Sequence, residues 1–160
     1  MPGAETQPFD LWLDHHFLIR VGVSLLCGCM VGFEREWRGK PTGMRTCVLV
    51  CLGTALFVRL GAVMADMSGN KGDASRVLGQ VVTGIGFLGA GVIISHGEMV
   101  HGVTTATVVW ILAATGALIG AGKLAEAIAI AVVTVLVLTV LDYLERKIQK
   151  YRVRSPTDSV

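Results

Sequence analysis

Five long apolar runs decide what this 160-residue chain can fold into. They are Phe17–Phe33, Thr46–Ala65, Val77–Ser95, Val103–Gly120 and Leu124–Leu141. Each lies in or near the range of about 17–25 apolar residues that a helix needs to cross a bilayer. A water-soluble helical bundle would keep a polar face on every helix, and Ala127–Leu141 offers none. Composition agrees, with 52% hydrophobic residues against 16% charged. The first sixteen residues contain no Lys or Arg, so a signal peptide's basic start is missing and the first run is expected to stay as a helix. The predicted fold is all-α: a polytopic bundle of five transmembrane helices over residues 17–141, with an extracytoplasmic segment 1–16 and a basic tail 142–160.

Orientation follows from the placement of Lys and Arg, which collect on the cytoplasmic side. Arg35, Arg38, Lys40 and Arg45 after the first run, with Arg146, Lys147, Lys150, Arg152 and Arg154 after the last, put nine on one side. Lys71, Arg76 and Lys123 put three on the other. The N-terminus is expected outside and the C-terminus inside. Trp12 and Trp37 flank the first span at headgroup level. Beyond the last span, Leu141, Leu144, Ile148 and Tyr151 recur at helical spacing among basic residues. They form either a short helix on the anionic inner leaflet or a solvated extension of the span.

The third run holds Gly79, Gly84, Gly86, Gly89 and Gly91. At 100° per residue, Asp73, Gln80, Gly84 and Gly91 share a stripe about 40° wide, and Gly79, Gly86 and Ala90 form another. Small residues let membrane helices touch closely, so this helix is expected at the centre of the bundle. Gly28 and Gly32, and Gly116 and Gly120, repeat a four-residue small spacing on the first and fourth helices.

Ionisable groups inside spans are functional candidates. Arg20, Arg59 and Gln80 lie within runs, and Asp73 and Arg76 at an edge, all in the outer half. They either gather as a vestibule for an ion or ligand, or the arginines snorkel to the headgroups while Asp73 and Arg76 flank a helix. For magnesium, which takes carboxylates and retained waters, the outer side offers Asp66 and Asp73, with Asp10 and Asp14. No carboxylate pair sits near the midplane, where coupling ions bind. Cys27, Cys29, Cys47 and Cys51 suit helix packing better than a zinc site, since Cys27 and Cys29 point apart on a helix. His15, His16, His96 and His101 read as loop residues. No catalytic constellation and no phosphate loop is present, so neither an enzyme nor a cofactor is expected, and nothing points to nucleic acid.

The segment Gly32–Thr46, GFEREWRGKPTGMRT, alternates in charge, and Pro41 and Gly43 favour a turn. It is either a loop that only sets orientation or one that docks on a charged partner or on the tail. Three blocks then carry a resemblance. The first is Glu34-Arg35-Glu36 with Gly43-Met44-Arg45-Thr46. The second is Asp73-Ala-Ser-Arg76 followed by GQVVTGIGFLGAGVII from Gly79 to Ile94. The third is Val100-His-Gly-Val-Thr104-Thr105-Ala106, then Trp110 and the stretch Gly116–Gly122. Over residues 18–141 the chain resembles the MgtC/SapB family of bacterial membrane proteins.

The family often has His where this chain has Cys47, and 19 residues after Leu141 are too few for the soluble C-terminal domain of many members, so the chain reads as a membrane-only form. The resemblance implies a non-enzymatic inner-membrane protein linked to magnesium limitation, stress and survival inside host cells. It implies action by modulating other membrane proteins, the F-type ATP synthase among them. Glu34, Arg35, Glu36 and Arg45 are the expected cytoplasmic contact set, with Thr46, Thr104, Thr105 and Trp110 as further motif residues. The alternative is an ion channel or carrier, for Mg2+ in the first instance, built on the outer polar cluster. A homo-oligomer is a third reading, and no metal ligand set is assigned.

Overall fold

The computed structural model describes residues 15–68, 72–96 and 99–152. Residues 1–14 of the expected extracytoplasmic segment, Trp12 among them, the basic residue Lys71 and the last residues with Arg154 lie outside them, while His15 and His16, expected in a loop, open the first helix. Five helices follow in order: α1 His15–Trp37, α2 Met44–Ser68, α3 Gly72–Gly91, α4 Val103–Gly120 and α5 Leu124–Arg152. Between α3 and α4 lies a small antiparallel hairpin of β1 Ile94–His96 and β2 Met99–His101, with Ile94 opposite His101.

Helix ends are set by local chemistry. α1 runs past the expected Phe33, so Glu34, Arg35 and Glu36 belong to its last turn and not to a loop. It stops at Gly39, whose φ of 63° is a left-handed value that glycine takes without strain. There Gly39 N–H donates to Glu36 O and Lys40 N–H to Arg35 O, each at 3.0 Å, which satisfies carbonyls at the helix end. The third helix ends at Gly91 and does not reach Ser95 as expected. The chain instead turns into the hairpin and re-enters helix through Gly102, at φ 90°. A Cβ on Gly102 would lie 2.0 Å from Val92 O, so both conformation and space demand glycine. α5 continues unbroken from Leu124 to Arg152, so the first turns of the expected tail belong to the same helix as the last apolar run. Its 29 residues measure about 43 Å at 1.5 Å each, more than the roughly 30 Å hydrocarbon core.

The helices alternate in direction. Gly28 and Gly32 of α1 face Val48 and Met44 of α2, Gly61 of α2 faces Val77 of α3, and Gly89 of α3 faces Ala106 of α4. One end of the bundle, called upper here, holds the starts of α1, α3 and α5. The lower end holds the starts of α2 and α4. Four helices are long and apolar enough to cross a membrane: α1, α2 over Met44–Met67, α4, and α5 over Leu124–Ile148. α3 falls short of that mark because Arg76 and Gln80 dilute its first half.

The centre of the bundle is α4 and not α3 as expected. α4 packs against α1, α2, α3 and α5. Half of its span is buried, against 28% for α1 and α2 and 11% for α5. Along α3, Ile85 is the one buried side chain among the described residues. A Cβ on Gly79, Gly84, Gly86 or Gly91 would meet nothing within 4 Å. The tight contacts are elsewhere. A Cβ on Gly116 would lie 2.3 Å from Cys51 O, and one on Gly120 would lie 2.7 Å from Ala55 O, so α4 and α2 meet backbone to backbone. Cys27, Val31, Cys47, Cys51, Val109 and Leu112 fill the space around that contact.

Gly116→Val is expected to lower stability by about 1–3 kcal/mol, because a carbonyl on α2 must move. Gly84→Ala, which meets open space, is expected to stay within about 0.5 kcal/mol of the parent. Thermal unfolding of both variants in mild detergent measures the difference.

Candidate functional site

Two polar places lie at opposite ends of the bundle. At the upper end, Arg20 Nη1 donates to Gly120 O at the C-terminus of α4, where a cation meets the negative end of the helix dipole. Arg59 lines the same pocket, whose volume of about 10 Å3 is the size of a single water. Gln80 is elsewhere, in an apolar groove of about 620 Å3 between α2 and α3 that Thr46 also lines. Arg76 is exposed on α3. The side chain of Asp73 lies outside the described residues. Of the outer set expected from the sequence, Arg20 and Arg59 share one pocket, and Gln80 lines a different one.

The lower end holds the larger polar site. It is built where the last turn of α1, the first turn of α4 and the far half of α5 converge. Glu34 and Arg35 come from α1 and Arg38 from the turn just after it, Thr104 and Thr105 from α4, and Asp142 and Glu145 from α5, with Lys40 and His101 beside them. The pocket has a volume of about 630 Å3. Glu34 and Arg35 are 8% and 3% exposed, so neither belongs to an outward-facing contact set. The reason is the extension of α1: the extra turn carries both into the interface with α4 and α5. Glu36 and Arg45 are exposed, and Glu36 Oε2 accepts from Met44 N at 3.2 Å, which places an acidic group at the start of α2.

An ion chain ties this end together. Arg38 Nε lies 2.5 Å from Glu34 Oε1, one turn back on α1. Arg38 Nη1 pairs with Asp142 on α5. Asp142 Oδ2 also accepts from Arg146 Nε at 2.8 Å. Beside the chain, Arg35 Nη2 donates to Thr105 Oγ1 at 3.3 Å, which joins α1 to α4. The bonding is incomplete. Neither carboxylate oxygen of Glu34 accepts a hydrogen bond of acceptable geometry, the close Arg38 contact notwithstanding, and Arg35 Nε donates none among the described residues. Such groups are rare in protein interiors and point to something that completes them.

Thr105 is buried and Thr104 exposed in this pocket. Trp110 is 56% exposed and lines an apolar groove between α3 and α4. Asp142 and Glu145 were not singled out in the sequence. Their signal was present: they are the first two carboxylates following the last apolar run, one of them four residues before Arg146. No group of three or more His, Cys, Asp or Glu among the described residues could hold a metal ion.

Alternating apolar helices with a buried, charged pocket at one end define a multi-pass helical membrane protein. Residues 21–147 match the MgtC family, and the chain belongs to that family. It is 36% identical over 117 residues to the protein MgtC of Salmonella typhimurium, covering 73% of this chain and 48% of that one. It is 39% identical over 132 residues to YhiD of Escherichia coli K12, whose name carries a provisional assignment as a magnesium transporter, covering 80% and 61%. An uncharacterized Synechocystis protein is 40% identical over 111 residues, covering 69% and 46%. The chain spans about half the length of these relatives. No solved structure matches it.

Arg38→Met leaves Glu34 buried without its counter-charge and is expected to lower stability by roughly 3 kcal/mol. Asp142→Asn, at a site one-fifth exposed, is expected to lower it by about 1 kcal/mol. Unfolding in mixed micelles at graded SDS fractions reads both values.

Proposed function

We propose that this chain is a bacterial inner-membrane protein that crosses the bilayer five times, N-terminus outside and C-terminus inside. It works without catalysis, by contact with other membrane proteins under magnesium limitation. The family and the magnesium assignment in the name of YhiD support the magnesium link. The lower end is then cytoplasmic, which agrees with the nine basic residues assigned to that side.

One observation carries the contact reading. Gly79, Gly84, Gly86 and Gly91 lie along α3 with nothing within 4 Å of the place a Cβ would take, while Gly28, Gly32, Gly61, Gly116 and Gly120 are all packed. Glycine in a lipid-facing helix gains nothing from lipid but admits a close helix partner. The carrier reading has less support. Between the upper and lower polar places on α1 and α4 lie the buried Cys27, Val31, Val108, Val109 and Leu112, with no charged group among them.

The F-type ATP synthase, the partner implied by the family resemblance, is the proposed target. A photocrosslinking residue at position 84 or 91 is expected to give an adduct with ATP synthase subunits in native membranes. The same residue at Leu136, on the lipid-facing side of α5, is expected to give none. Absence of the adduct at both α3 positions overturns this assignment, and ion flux in liposomes above empty controls would favour the carrier.

A further inference from the structure

We propose that the lower-end pocket binds the headgroup of an aminophospholipid, its primary ammonium on Glu34 and its phosphate on Arg35. This rests on the chain lying in a bilayer and is independent of the partner proposed for α3.

The argument starts from the unmade bonds. Glu34, 8% exposed, uses Oε1 in its ion pair with Arg38 while Oε2 accepts no hydrogen bond, and Arg35, 3% exposed, has an Nε–H that donates none among the described residues. A ligand that completes both must bring N–H donors and an anionic acceptor together. A bare cation would suit Glu34 but face Arg35, Arg38 and Lys40. A bare anion would suit Arg35 but face Glu34. Apart from His101, the ionisable lining is itself balanced, with Glu34, Asp142 and Glu145 against Arg35, Arg38 and Lys40. A neutral zwitterion leaves that balance unchanged.

The phosphate side has a second element. α4 begins at Gly102 without a side-chain cap, and Thr104 in its first turn lines the pocket. Uncapped amides at a helix start favour an oxyanion. The remaining wall is apolar: Val137, Leu138 and Leu141 of α5 line the pocket, and exposed Leu136 and Val140 continue that surface along the helix. This places acyl chains against α5 with the headgroup at the bundle end, where the apolar run stops at Asp142. The same ammonium-and-phosphate chemistry exists free in water as phosphoethanolamine. The apolar wall assigns the lipid as the source.

The test is native mass spectrometry of the purified full chain in mild detergent, titrated with phosphatidylethanolamine, its N-methyl and N,N-dimethyl forms, and phosphatidylcholine. Charge is constant along this series while N–H donors fall from three to none. A hydrogen bond to a charged group is worth about 1.5–3 kcal/mol, so phosphatidylethanolamine is expected to bind at least about tenfold more tightly than phosphatidylcholine, with a graded fall between them. Glu34→Gln is expected to flatten the series and to tighten phosphatidylglycerol binding, because the anionic headgroup no longer faces a carboxylate. Equal binding across the series in the wild type overturns the proposal, whether or not the variant folds. Free phosphoethanolamine that displaces the lipid at equal concentration overturns the lipid source.

Discussion

In a bilayer the hydrophobic effect does not press one helix against another, because lipid tails are as apolar as leucine. The bundle depends on what replaces that force: backbone approaching backbone. Gly116 and Gly120 bring α4 onto the carbonyls of α2, and Gly28 and Gly32 bring α1 onto the other end of α2. Close approach multiplies dispersion contacts, and the buried cysteines and Leu112 occupy the gaps that glycine opens. From this α1–α2–α4 centre, α3 and α5 hang as outer members. α5 packs on the core through Ala127 and Ala131, with Ile128, Val135 and Leu138 beside them, although only a small part of its span is buried.

The charge sits where the packing ends. Arg38 reaches from just past α1 to Asp142 on α5, and Arg35 reaches to Thr105 on α4. These polar links set the mutual height of three helices, and their register leaves a pocket among them. The pocket is therefore a product of helix length. α1 had to run one turn beyond its apolar stretch before its polar residues could meet Asp142, the first residue after the apolar run of α5.

Much of this was legible in the sequence. The apolar runs located all five helices, and the spacing of Gly116 and Gly120 marked the surfaces that touch. The rest was hidden for physical reasons. A glycine stripe states that a helix can approach another, not that it does, so α3 read as central although Gly79, Gly84, Gly86 and Gly91 face outward. Glu34 and Arg35 read as loop residues because an apolar count ends at Phe33, whereas the helix ends at the glycine that can take a left-handed turn, Gly39. Asp142 read as tail because its partner Arg38 is 104 residues away, beyond any local pattern. The hairpin after α3 has its cause in Val92 O beneath Gly102, a tertiary contact.

Two long reaches start at the two ends of α1, Arg20 within it reaching Gly120 and Arg38 just past it reaching Asp142. Their partners lie on α4 and α5, which leave the ribosome well after α1. During synthesis α1 therefore stands in the lipid with both arginines waiting, one near each surface of the bilayer, where water and headgroups can solvate them. The helix made before the other four is completed after them, and emergence of Asp142 closes the circle by joining α1 to α5.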